Sequence, residues 1–187
     1  MPLLTWQRGR ALREMHRAML ACHDSLFRYA RALSRDPAEA EELVQECYRR
    51  ALSAGRRPSP ADGDEVRRWM FVILRNIWKN DRRARGREDG LEAAQDVAAQ
   101  DDQSSPETLL LRRALQFEIR AALDSLSEAH REIIVLRDME GLSYEQIARL
   151  LECPVGTVMS RLARARTQLR GVLAEVVGPE SRREAHQ

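Results

Sequence analysis

The chain has 187 residues, with 31 basic and 29 acidic side chains and a net charge of +2. That length allows one large domain or two small ones, and the balanced total carries no overall nucleic-acid signature. The opening MPLLTWQRGR lacks an apolar leader core, and the longest strongly apolar run is about Met70–Leu74. A secretory signal and a membrane span are therefore not expected, and the protein is expected to stay in the cytoplasm.

Three cysteines, Cys22, Cys47 and Cys153, stand far apart without a CxxC pair, which fits reduced thiols better than a disulfide framework. Aromatics make up only 5% of the chain, and period-two alternation never persists. Helical periodicity recurs throughout, so the fold expected is all-α.

The first helical pattern covers Gly9–Leu33 and ends at Ser34-Arg35-Asp36-Pro37. Asp36 is a good N-cap and Pro37 suits a first helical position, so a second helix is predicted from Pro37 to Ala54. Residues 36–46 carry Asp36, Glu39, Glu41, Glu42 and Glu46 and no base. Leu43, Val44 and Cys47 form an apolar strip beside Glu42, Gln45 and Glu46. That combination suits either a basic protein partner or an ordinary solvated face.

Gly55–Gly63 (GRRPSPADG) reads as a loop. A third helix is predicted over Asp64–Arg85, with Val66, Trp69, Met70, Ile73, Leu74 and Ile77 on the core face. Residues 66–87 hold eight bases against Asp81 alone. Phe71, Arg75, Trp78 and Arg82 recur at spacings of four, three and four. Aromatics among bases can stack on unpaired nucleotides, although Phe71 and Trp78 could equally fill the core.

From Glu88 to Glu107 there are seven acids and no base. This polar, aperiodic stretch is read as a tether. The organisation expected is two small helical domains, residues 9–87 and 107–175, joined by a flexible acidic linker over 88–106. In the second domain, helices are predicted over Thr108–Ser125 and Ser127–Met139.

The stretch SYEQIARLLECPVGTVMSRLARAR follows, from Ser143 to Arg166. Ser143 with Gln146 makes a capping box that opens a short helix through Ile147, Leu150 and Leu151. Pro154 suits the first position of another helix, in which Val155, Val158, Leu162 and Ala165 can pack back on its predecessor. Met159, Ser160, Ala163 and Arg164 then turn outward. This pattern fits a helix-turn-helix, whose second helix can enter a major groove, or a surface helical hairpin with a solvated basic face.

Metal and enzyme chemistry find little support. His16 and His23 stand seven apart beside Cys22, but a fourth ligand and a supporting acid are missing. No Gly-rich phosphate loop, nucleophile motif or paired catalytic carboxylates appear. No metal, no cofactor and no enzymatic activity are expected.

In this order, the segments resemble the sigma-70 family of bacterial transcription initiation factors, in its small extracytoplasmic function (ECF) group. The resemblance runs from about Cys22 to Leu173. DPAEAEELVQECYRRAL is similar to the family's polymerase-gripping segment, and RRWMFVILRNIWKNDRRARGR to its promoter-melting and −10 segment. LSEAHREIIVLRDMEGLSYEQIARLLECPVGTVMSRLARAR is similar to its −35-reading domain. Met159 departs from the basic residue usual in GTVxSR, and Trp78 is larger than the family residue.

The resemblance implies core RNA polymerase, promoter DNA and an anti-sigma factor as partners. It assigns polymerase binding to Asp36, Glu39, Glu42, Leu43, Gln45 and Glu46. For the −10 element it implies Phe71, Arg75, Asn76, Trp78, Lys79, Asn80, Arg82 and Arg83. The loop around Gly55–Asp64, with Lys79 and Asn80, would hold a flipped base. For the −35 element it implies Arg137, Thr157, Met159, Ser160, Arg161, Ala163 and Arg164. A stand-alone helix-turn-helix regulator is the competing reading, and it leaves Phe71, Trp78 and the acidic linker without purpose.

Overall fold

A computed structural model describes residues 3–85 and 106–176. The stretch 86–105, which holds nearly all of the expected tether, lies outside the described residues. The chain divides into two compact units, Met1–Asp96 and Val97–Gln187. Among the described residues the regular structure is entirely helical, and no helix is long and apolar enough to cross a membrane.

Unit 1 contains α1 (Leu3–Leu20), α2 (His23–Ser34), α3 (Pro37–Ser53) and α4 (Gly63–Arg85). The single helix expected over Gly9–Leu33 is two. At the break, the Cys22 N–H donates to Met19 O three residues back, and Cys22 itself adopts φ −90, ψ 0. Buried Met15, Met19, Cys22, Leu26, Tyr29 and Leu33 keep helical spacing straight across the junction. The hydrophobic pattern therefore gives no sign of the turn.

The start of α3 follows local chemistry. Pro37 is its first residue, and the Glu39 N–H donates to Asp36 Oδ1 at 2.9 Å. Such a cap is worth about 1 kcal/mol. Leu43, Val44, Cys47 and Ala51 face inward, and Leu43 is only 5% exposed. The expected apolar strip for a partner is instead the inner face of α3. Leu43 is thereby corrected from interface to core.

In α4, Val66, Met70, Phe71, Leu74, Ile77 and Trp78 are buried. Phe71 packs edge-on against Tyr29, with ring centroids 5.1 Å apart. Trp69 and Ile73 are only half-buried. The core stripe is thus rotated from the one expected, towards Phe71 and Trp78. More than half of the circumference of α4 is apolar here, so periodicity alone cannot say which edge is covered.

Unit 2 contains α5 (Pro106–Asp124), α6 (Glu128–Ile134), a π-helical segment (Val135–Met139), α7 (Tyr144–Leu151) and α8 (Val155–Val176). The expected helix over Ser127–Met139 is α6 capped by Ser127 and continued by the π-helical turns. Gly141, at φ 71, reverses the chain towards α7. Arg131 is buried and donates to Leu126 O at 3.3 Å. The capping box closes in both directions: the Gln146 N–H donates to Ser143 Oγ at 3.2 Å, and the Ser143 N–H to Gln146 Oε1 at 2.7 Å.

Candidate polymerase and promoter interfaces

The outer face of α3 carries the acids, but they are not equally available. Glu41, Glu42 and Gln45 are exposed. Glu46 accepts from Arg49 and Arg50 on its own helix, each at 2.6 Å, and these hydrogen bonds hold its carboxyl down to about 2. Glu39 is paired with Arg85 at the end of α4, at 2.6 Å. Its pKa is nonetheless raised, because burial outweighs the attraction of Arg85. Asp36 is committed to its cap. A basic partner therefore meets Glu41, Glu42 and Gln45 first and must displace arginines to reach Glu39 or Glu46.

The expectation for α4 divides. Asn76, Asn80 and Arg83 are exposed, and Arg75 and Lys79 are half-buried. Phe71, with no exposed surface, and Trp78, 5% exposed, cannot present a ring to an unpaired base without unpacking the core. Both are corrected from DNA contact to core. Trp78 instead has the exposed Arg82 over its ring, at 5.4 Å from the centroid. The aromatic that reaches the outer face is Trp69, in line with Val72, Asn76, Asn80 and Arg83 at helical spacing. The helical pattern in the sequence places Trp69 on the core face instead. The signal missed is that this outer stripe joins an aromatic to two amides and an arginine.

The loop before α4 is tied down at both ends. Arg57 donates to Leu52 O, and Asp62 Oδ1 accepts from the Glu65 N–H at 2.8 Å, capping α4. Ser59, Ala61 and Asp62 are exposed along it.

In the helix-turn-helix, Val158, Leu162 and Ala165 are buried, as are Ile147, Leu150 and Leu151 of α7. Val155 differs from expectation and is exposed, because α8 begins there, with Pro154 O accepting from Thr157 and Val158. Met159 is 53% exposed. Ser160, Ala163 and Arg164 are exposed beside it, with Thr157 and Arg161 half-buried at the rim. Arg161 and Arg164 have no hydrogen bond or ion pair among the described residues. No acid occurs between Cys153 and Ala174. Arg137, from the π-helical segment, donates to Leu142 O at 2.8 Å and lies 4.9 Å from the Tyr144 ring centroid. This is an outward helix face of short side chains flanked by unpaired guanidinium groups, a shape that fits a major groove.

All three cysteines are free thiols. Among the described residues, no group of three His, Cys, Asp or Glu side chains could hold a metal ion.

Comparison with known proteins covers both units. Sigma-70 region 2 matches residues 18–88, and Sigma-70 region 4 matches residues 116–169. The ECF RNA polymerase sigma factor EcfG of Rhodopseudomonas palustris is 39% identical over 167 residues, covering 87% of this chain and 88% of the relative. The ECF RNA polymerase sigma-E factor of Escherichia coli is 36% identical over 137 residues, covering 68% and 70%. The sigma factor RpoE of Bartonella quintana, solved with the anti-sigma factor NepR, is 29% identical with a TM-score of 0.64, covering 84% of this chain and 95% of that one. A stand-alone regulator is not favoured, because the region 2 match accounts for unit 1 as well. The chain belongs to the ECF group of the sigma-70 family, and it is a transcription initiation factor that directs RNA polymerase to promoters.

Proposed function

We propose that this sigma factor divides its work among three separate faces. The α3 face captures core polymerase through Glu42 and Gln45, with Asp36, Glu39 and Glu46 around them. The outer α4 face, with Asn76, Asn80, Arg83, Arg75, Lys79, Arg82 and Trp69, takes the separated −10 strand and helps melt it. The outer α8 face, with Met159, Ser160, Ala163, Arg164, Thr157 and Arg161, reads the −35 duplex, assisted by Arg137. Leu43, Phe71 and Trp78 serve these faces from the core. The protein acts where polymerase is, in the cytoplasm, without chemistry of its own. An anti-sigma factor, the class of partner in the Bartonella quintana complex, holds it inactive.

One observation carries this reading: exposed acids, exposed amides with bases, and exposed bases without acids lie on three different helices. The test compares Glu42→Lys, Asn80→Ala and Arg164→Ala with core polymerase on promoters selected from a random library. Glu42→Lys should lose core capture. Asn80→Ala should keep capture and lose open complex, and Arg164→Ala should change the selected −35 sequence. Loss of the same step in all three overturns the assignment. Duplex selection by the free protein as tight as by holoenzyme would restore the regulator reading.

A further inference from the structure

Arg166 stands apart from the other arginines of α8. Its Nε donates to Asp138 Oδ2 at 3.0 Å, and its Nη2 donates to Asp138 Oδ1, a two-pronged pair between α8 and the π-helical segment. Hydrogen bonding to Asp138 raises the guanidinium above its ordinary value. The fork occupies two of the five guanidinium N–H donors. Tyr144 also hydrogen-bonds this guanidinium, and with the Arg166 side chain 45% exposed the remaining N–H donors can still meet a ligand.

The acid comes from a particular local geometry. In the π-helical turns, Arg137 and Asp138 are consecutive but serve different neighbours. Arg137 reaches Leu142 O and the Tyr144 ring, while Asp138 reaches across to α8. Arg166 lies seven residues beyond Met159, on the same flank of α8 and further from the turn. A recognition helix meets base edges with its first turns, so a guanidinium this far along meets the sugar-phosphate backbone.

We propose that Arg166 is a phosphate contact of the −35 duplex and that Asp138 is its positioning residue, holding the guanidinium fork in place before DNA arrives. The inference rests on the reading that α8 faces the −35 element. It also opposes simple electrostatics. An acid beside a phosphate repels it, so removing Asp138 should tighten binding if the residue were only a nearby charge. As a positioning residue, its removal weakens binding instead.

The experiment measures holoenzyme affinity for a promoter fragment bearing the selected −35 sequence, as a function of salt, for Arg166→Gln, Asp138→Asn, the double variant and Arg164→Ala. Arg166→Gln should weaken binding about fivefold and reduce the salt slope by about one. Asp138→Asn should do nearly the same, and the double variant should be no worse than Arg166→Gln. A variant that merely loses folded protein changes the active fraction and leaves the slope unaltered, so the slope separates positioning from instability. Tighter binding by Asp138→Asn, an unchanged slope, or additive losses in the double variant overturn the inference. If Arg164→Ala weakens binding while Arg166→Gln is silent, this inference alone falls. If both are silent, the α8 reading falls with it.

Discussion

Two residues around the helix-turn-helix show how backbone conformation, separate from contacts, sets a local cost. Gly141 has φ 71, and a Cβ added there would meet nothing within 4 Å. Space is available, but an L side chain in the left-handed region costs about 1–2 kcal/mol. Glu152 already carries that strain, with φ 56 at the end of α7, where its N–H donates to Ala148 O. The two positions should therefore respond in opposite directions. Gly141→Ala should lower stability by about 1 kcal/mol, and Glu152→Gly should raise it by about 0.5 kcal/mol after the glycine's extra unfolded-state freedom is counted. Urea midpoints of the two variants, at unchanged slope, check both signs. Neither position was legible as strained in the sequence, since Glu152 carries no turn signature of its own.

At the scale of the element, α4 is a helix with two working faces, and the aromatic residues are divided between them. Trp78 is in the core, so Trp78→Ala should destabilise the protein by about 3–5 kcal/mol. Asn80 is exposed, so Asn80→Ala should change stability by less than about 0.5 kcal/mol. Thermal melts of both variants, read beside core capture, distinguish a packing residue from a contact residue. Legibility follows the range of the interaction that fixes each feature. Asp36 with Pro37, and Ser143 with Gln146, are local pairs, and both helix starts could be read from the chain. The phase of α4 depends on Tyr29 packing against Phe71 while Trp69 stays half-buried, a tertiary choice that periodicity does not contain. The break at Cys22 was hidden because the apolar spacing continues through it. On α8 the outward turn of Met159, Ser160, Ala163 and Arg164 was legible. The Asp138–Arg166 pair was not, because it joins residues 28 apart through a π-helical turn.

At the scale of the molecule, each compact unit has its own buried centre. Unit 1 closes on Leu26, Tyr29, Val44, Met70, Phe71 and Leu74, and unit 2 on Leu126, Ile133, Leu136, Ile147, Val158 and Leu162. A fragment of residues 1–96 should accordingly be helical and melt cooperatively without the rest of the chain. Circular dichroism of the fragment against urea tests this, and a broad, non-cooperative loss of signal would show that unit 1 depends on unit 2.

The arginines that already hold Glu39 and Glu46 bear on how such a factor behaves when the ionic strength around it changes. On the proposed α3 interface, an arginine from polymerase that replaces the internal partner of Glu39 or Glu46 exchanges one ion pair for another and releases few bound ions. Arg161 and Arg164 have no such internal counterpart, so their docking on DNA releases the cations condensed on the phosphates. A rise in salt should then weaken promoter binding more steeply than holoenzyme assembly, in which Glu42 keeps the ordinary screening of an exposed charge. During an osmotic shock the molecule should leave its promoters before it leaves polymerase.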